Sequence, residues 1–303
     1  MPATYSSDSP SSSGVTYSIV HQISFSYNGA VLKNRNQVRL RPRSDERQNC
    51  ESFELRTDPA GEAREEEDQF GNRFHFFEVK GSHRALNLHI RSVVSMVESR
   101  AAGTMDVPLP VSAPDEISIP REAAGYLGLS PHVPYVPDVE ELVLVAEKQS
   151  DGTAAGFAEA AARLVRSRFR YRSGVTHVGS SIVDLLKTKA GVCQDFAHLL
   201  IAICRWRGVP ARYVSGYLAP GYLSDPSYKG DRLFRTAAGH AWVEFFSPSA
   251  GWVGIDPTLG VAPAERHIRI AYGRDYNDAA PVTGVYQGSE ESSVQSTIEI
   301  SAL

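Results

Sequence analysis

Cys193, His240 and Asp256 supply a thiol, an imidazole and a carboxylate, three groups that together can run acyl transfer. A thiolate attacks a carbonyl carbon, a histidine takes the thiol proton, and an acid orients the ring and stabilises the imidazolium. The bond such a centre opens is an amide, through a covalent thioester. Far apart in the chain, these residues need particular elements to bring them together.

Cys193 follows Gly191-Val192 and opens a helix. Phe196, Leu199, Leu200 and Ile203 form one stripe of it and Ala197, Ile201 and Cys204 a neighbouring one, so the helix is expected inside a core. Gly208-Val209-Pro210 stops it. At the helix start, unpaired N–H groups and the macrodipole favour an anion, the setting in which thiolates form. Most cysteines so placed are still inert small hydrophobes, which describes Cys204, and Cys50 sits in an uninformative polar stretch.

His240–Phe246 and Gly251–Asp256 read as a β-hairpin turning through Ser247–Ala250. Pairing Phe245 with Gly251, Val243 with Val253 and Ala241 with Ile255 makes one face apolar. The other face then sets His240 opposite Asp256, Trp242 opposite Gly254 and Glu244 opposite Trp252. A one-residue slip would mix the faces. Directly opposed residues have Cβ atoms ~4.5–5.5 Å apart, so Asp256 is expected to accept a hydrogen bond from His240. Trp242, Trp252 and Tyr213 are candidate walls of a substrate groove. His198 lies roughly 140° round the helix from Cys193 and reads as a core histidine; Asp195 reads as a cap in the first turn. A metal on Cys193, His240 and Asp256 lacks an evident fourth ligand, so neither metal nor cofactor is expected.

The 303 residues carry 31 basic and 35 acidic side chains, a net charge of −4 that argues against nucleic-acid or membrane-surface binding. Three cysteines without a C-x-x-C pair do not make a disulfide framework, which favours a reducing, cytoplasmic setting. The Ser-rich start lacks the basic and apolar regions of a secretory signal. Residues 1–14 are therefore expected as a disordered tail.

An all-β domain is expected over 15–100, from strand-like runs at Tyr17–Tyr27, Val38–Arg41, Phe53–Arg56 and Leu86–Ile90. Turn signals stand at Asn28-Gly29, Gly71-Asn72 and Gly81-Ser82, and the acidic run Glu62–Asp68 reads as a solvated loop. Residues 101–155, rich in proline, read as a linker. Helices ending near Arg168 and over Ser181–Leu186 precede the Cys193 helix, and strands follow at Ala211–Leu218, Ala241–Phe246 and Trp252–Ile255. The catalytic core is placed at 156–290, and a C-terminal strand or tail at 291–303.

Thr176–Ser181, Gly191–Leu199, Gly208–Leu218, Gly239–Glu244, Gly251–Thr258 and Gly273–Tyr276 together resemble the transglutaminase-like superfamily, in its bacterial two-domain form. The resemblance implies an α+β, papain-like core, with the cysteine-bearing helix packed on an antiparallel sheet and an all-β domain before it. By position it makes Cys193 the nucleophile, His240 the base and Asp256 the orienting acid, and it implies a protein or peptide substrate. Hydrolysis is the expected outcome. Amine cross-linking at glutamine, or a catalytically silent binding module, are the alternatives. No D-x-[DN]-x-[DN]-G loop suggests calcium. The backbone N–H of Cys193 is a candidate oxyanion donor.

Overall fold

The computed structural model describes residues 14–97, 119–220, 238–288 and 291–303. The expected tail thus falls almost wholly outside the described residues.

Four strands open the chain: β1 (Thr16–Val38), β2 (Gln48–Asp58), β3 (Arg64–Glu67) and β4 (Arg73–Met96). β1 and β4 pair antiparallel, with Tyr17 opposite Val94, Ile23 opposite Leu88 and Phe25 opposite Leu86, so alternation places one apolar face inward. Two expectations change here. Asn28-Gly29 and Gly81-Ser82 do not reverse the chain; they sit where the β1–β4 register shifts, and the strands continue past an irregularity. The acidic run is no loop but contains β3, an exposed strand on β4 whose Glu65 accepts from Arg41 and Arg73. Four consecutive charged residues suit an edge that needs no buried face.

Helices α1 (Arg121–Ala124), α2 (Val139–Gln149) and α3 (Ala154–Arg168) come next. α2 occupies part of the expected linker, burying Val139, Leu142, Val143 and Ala146 against the core; the prolines that suggested a linker end just before it, at Pro137. Thr153 caps α3 by accepting from the Gly156 N–H at 3.0 Å. Two short parallel strands, β5 (Arg170–Tyr171) and β6 (Ala190–Gly191), flank α4 (Ile182–Thr188). α5 (Cys193–Trp206) is buried from Gln194 to Arg205, as its two apolar stripes require. Gly208, at φ +84, reverses the chain after it.

The core sheet is antiparallel, in the order β10-β7-β8-β9, from β7 (Ala211–Leu218), β8 (Ala238–Ser247), β9 (Gly251–Ile255) and β10 (His267–Gly273). Tyr213, Ala241, Val243 and Phe245 share the main core with α5, while Val214, Trp242 and Tyr272 form a smaller cluster of their own. α6 (Tyr276–Ala279) follows. The chain then returns to the first sheet: β11 (Val282–Gln287) and β12 (Ser292–Ala302) both pair with β1. Val282–Gln287, expected within the 156–290 core, thus pairs with the first sheet. These strands are largely exposed and polar, so no buried periodicity marked them. No helix among the described residues is long and apolar enough to cross a membrane.

The first sheet grips β10 by two buried amides. Gln48 accepts from the Arg269 N–H and donates to its carbonyl, each at 2.8 Å. Asn72 accepts from the Tyr272 N–H at 2.8 Å and donates to its carbonyl at 2.7 Å. β10 is an edge strand, and these side chains satisfy groups a neighbouring strand would otherwise meet.

Candidate active site

Cys193 is the first residue of α5 and half-buried, unlike the inert Cys204 in the helix body, whose thiol burial pushes up to about 12. Asp195 closes the helix start. Its carboxylate accepts from the Val192 N–H at 2.7 Å and the Thr176 hydroxyl at 2.6 Å, satisfying a donor at the N-terminus. Gln194 donates to the Val178 carbonyl at 3.2 Å, so the segment Thr176–Val178 is tied to the same turn.

His240 stands on β8 opposite Gly216 of β7. Its Nε2 donates to Asp256 Oδ2 at 2.6 Å, and Cys193 is near enough to act on the charge of its ring. With Nε2 on the acid, Nδ1 is the ring nitrogen left for the thiol. Burial disfavours the imidazolium, but the charge and hydrogen bond of Asp256, with Cys193, overcome it and raise the pKa of His240.

Asp256 is wholly buried and saturated. Oδ2 accepts from His240 and also from His267 Nε2 at 3.1 Å; Oδ1 accepts from the Thr258 and Leu259 N–H groups at 2.8 and 3.0 Å. Burial alone would raise such a carboxyl, yet the charge of His240 and the bonds from both histidines hold it well below the usual range. His240, Asp256 and His267 also form the one group of three potential metal ligands among the described residues. Their hydrogen bonds to one another already account for the clustering.

The hairpin register departs from the expected one. Val243 pairs with Ile255, Phe245 with Val253 and Ser247 with Gly251, a shift of two residues. The cause is the turn: three residues connect Ser247 to Gly251, which takes φ +70, so the strands run closer to the tip. A two-residue shift preserves both faces. His240 is consequently not directly opposite Asp256 but diagonal to it, and reaches the acid past the end of β9.

The three candidate groove walls are not brought together as an open groove. Trp242 is fully buried beside His240 and His267, with ring centroids 6.1 and 5.1 Å away. Tyr213 is buried as well, against His198 and near Cys193, and burial and the thiol's charge push its hydroxyl pKa up. Trp252 lies at the turn end of the hairpin, under the Arg212 guanidinium and against Tyr126. His198 accepts from the Tyr276 N–H at 3.1 Å and stacks on His132. His267 escaped the sequence reading because a lone histidine beginning a strand carries no motif.

Comparison with known proteins identifies the family and the fold. The family model described as the transglutaminase-like superfamily matches residues 144–257, and that of the bacterial transglutaminase-like N-terminal region matches 17–95. Uncharacterised proteins of Mycobacterium tuberculosis and Mycobacterium leprae are 31% and 32% identical, over 99% and 94% of this chain and 97% and 98% of their own. A protein-glutamine gamma-glutamyltransferase of Pseudomonas aeruginosa is 35% identical over 97 residues, 31% of this chain and 14% of that one. In fold, the chain resembles a Cytophaga hutchinsonii protein provisionally described as a cysteine protease. The TM-score is 0.73 at 22% identity, over 96% of this chain and 92% of the other. The chain belongs to the transglutaminase-like superfamily, and strands β1–β4 of its first sheet make up the bacterial transglutaminase-like N-terminal region.

Proposed function

We propose that the chain is a cysteine-dependent amide hydrolase acting on a protein or peptide, in a reducing cytoplasmic setting that its free thiols favour. The observation that carries this reading is His240, which meets Cys193 on one side and donates to Asp256 on the other. In this reading, Cys193 passes its proton to His240 Nδ1 and its sulfur attacks the amide carbon. The negative oxygen gathers at the start of α5, where the Cys193 N–H is the candidate donor. The C–N bond breaks as His240 returns the proton to the leaving amine, leaving a thioester on Cys193. Water, deprotonated by His240, then attacks the thioester, releasing a carboxylic acid and the thiol. Asp256 keeps the ring oriented throughout and stabilises its cation.

A fluorogenic peptide-amide library tests this: turnover is expected in the native protein and none in Cys193→Ala. Equal turnover in both would overturn it. The Pseudomonas relative favours a second reading, resolution of the thioester by an amine. Faster incorporation of a fluorescent amine into a glutamine-bearing protein than release of the hydrolysed acid would favour that outcome.

A further inference from the structure

We propose that His267 is a positioning residue that holds and tempers the Asp256 carboxylate for His240; the proposal rests on the hydrolase reading above.

Asp256 Oδ2 is shared by two imidazoles from different strands, His240 of β8 and His267 of β10. The proton of His267 is assigned by its other bond: Nδ1 accepts from the Ala264 N–H at 3.3 Å, so Nε2 is the donor to Asp256. Burial, which disfavours its charged form, keeps the ring neutral in that role. A second donor on the same oxygen draws charge from the carboxylate and pins it against rotation. Both effects set how strongly Asp256 holds the His240 proton.

The position of His267 is not free. It begins β10, and that strand is clamped at Arg269 and Tyr272 by the amides of Gln48 and Asn72 from the first sheet. The N-terminal region thereby reaches the acid through two links, the amides to β10 and His267 to Asp256. The Trp242 indole packs edge-on against the His267 ring and leaves it little room to swing.

Steady-state kinetics of His267→Asn and His267→Gln on a peptide turned over by the native protein test the assignment. Asparagine can still accept from Ala264 but its amide is too short to reach Asp256; glutamine places an N–H where Nε2 stands. His267→Asn should lose about ten- to a hundredfold in kcat with KM within about twofold, the change a lost hydrogen bond to a charged group corresponds to. The alkaline limb of its pH profile should move upward, because Asp256 then holds the His240 proton more tightly. The charged and titratable groups facing His267 are Asp256, His240 and Arg269, and none of them is replaced in either variant. His267→Gln should recover most of the rate and return the limb. If His267→Asn does not fold, His267→Met, which fills the space without a donor, takes its place with the same expectations.

Native kinetics in the donor-less variant, or an equal loss in both variants with an unmoved limb, would overturn the proposal while leaving the hydrolase reading intact. Absence of turnover in the native protein as well as in Cys193→Ala would instead count against the hydrolase reading itself.

Discussion

His240 Nε2 donates to Asp256 Oδ2 at 2.6 Å although the two residues are not cross-strand partners. β9 ends at Ile255, and the chain turns at Asp256, where Oδ1 gathers the Thr258 and Leu259 N–H groups. The carboxylate is thus fixed by its own turn and presented diagonally to the ring. A buried acid with four donors is rigid, and replacing it has consequences for both chemistry and folding.

Asp256→Asn should lower kcat by about 10²–10⁴-fold, because an amide can present its N–H to the ring and no longer stabilises the imidazolium. It should also change how stability depends on pH. The depressed pKa of Asp256 contributes stability above its unfolded value of about 4, lost as pH falls through the folded value. The raised pKa of His240 contributes stability below about 6.5, lost as pH rises through the folded value. Urea unfolding should therefore show the native protein's advantage over Asp256→Asn largest between about pH 4 and 6.5 and narrowing on either side. A constant margin from pH 4 to 9 would contradict this.

Glu244 is buried between Arg212 and Arg269, accepting from both at 2.5–2.9 Å. Burial would raise its carboxyl, but the two guanidinium charges hold it low. Glu244→Gln should cost about 3–5 kcal/mol in denaturant unfolding, since it removes the carboxylate paired with Arg212 and leaves Arg269 with Asp45 alone. A loss under about 1 kcal/mol would show that the pairing is not carried by charge.

Gly216, opposite His240 on β7, has no room for a side chain. An added Cβ would lie 2.3 Å from the Ile268 carbonyl and 2.4 Å from the Trp242 ring. Gly216→Ala should cost roughly 1–3 kcal/mol and impair turnover together, by displacing Trp242 or β10 next to the histidines. Thermal unfolding and kcat measured on one preparation check both; a variant with native values in each would contradict it.

Gln48→Leu and Asn72→Leu should each cost about 1–3 kcal/mol, because the first strips the Arg269 N–H of its side-chain acceptor, leaving its carbonyl only the Arg43 N–H, and the second strips both the N–H and the carbonyl of Tyr272 of their side-chain partner. Urea midpoints measure this, and shifts as small as those of exposed polar substitutions would contradict the clamp.

Sequence patterns made some of this architecture readable and hid other parts for physical reasons. The helix opening at Cys193 and the strand Ala211–Leu218 were legible because burial on every side demands continuous apolar runs. The faces of the β8–β9 hairpin were legible for the same reason. Its register was not, since a shift of two residues leaves both faces alike and only the three-residue turn ending at Gly251 separates the choices. β12 runs along an exposed sheet edge as Ser-Ser-Val-Gln-Ser-Thr, where no apolar alternation is required. His267 and the Gln48–Arg269 clamp depend on residues more than two hundred positions apart or on a lone histidine, and no local pattern encodes them.

The most direct measurement of the central claim is the rate at which iodoacetamide alkylates Cys193 at pH 6, followed by peptide mass spectrometry in the native protein and in His240→Ala. Cys50 serves as internal reference, its thiol pKa raised by burial against the pull of Arg41. Labelling of Cys193 at least about tenfold faster than Cys50, lost when His240 is removed, is the expected result. Equal, slow labelling of both cysteines, unchanged by His240→Ala, would contradict a thiol activated by that histidine.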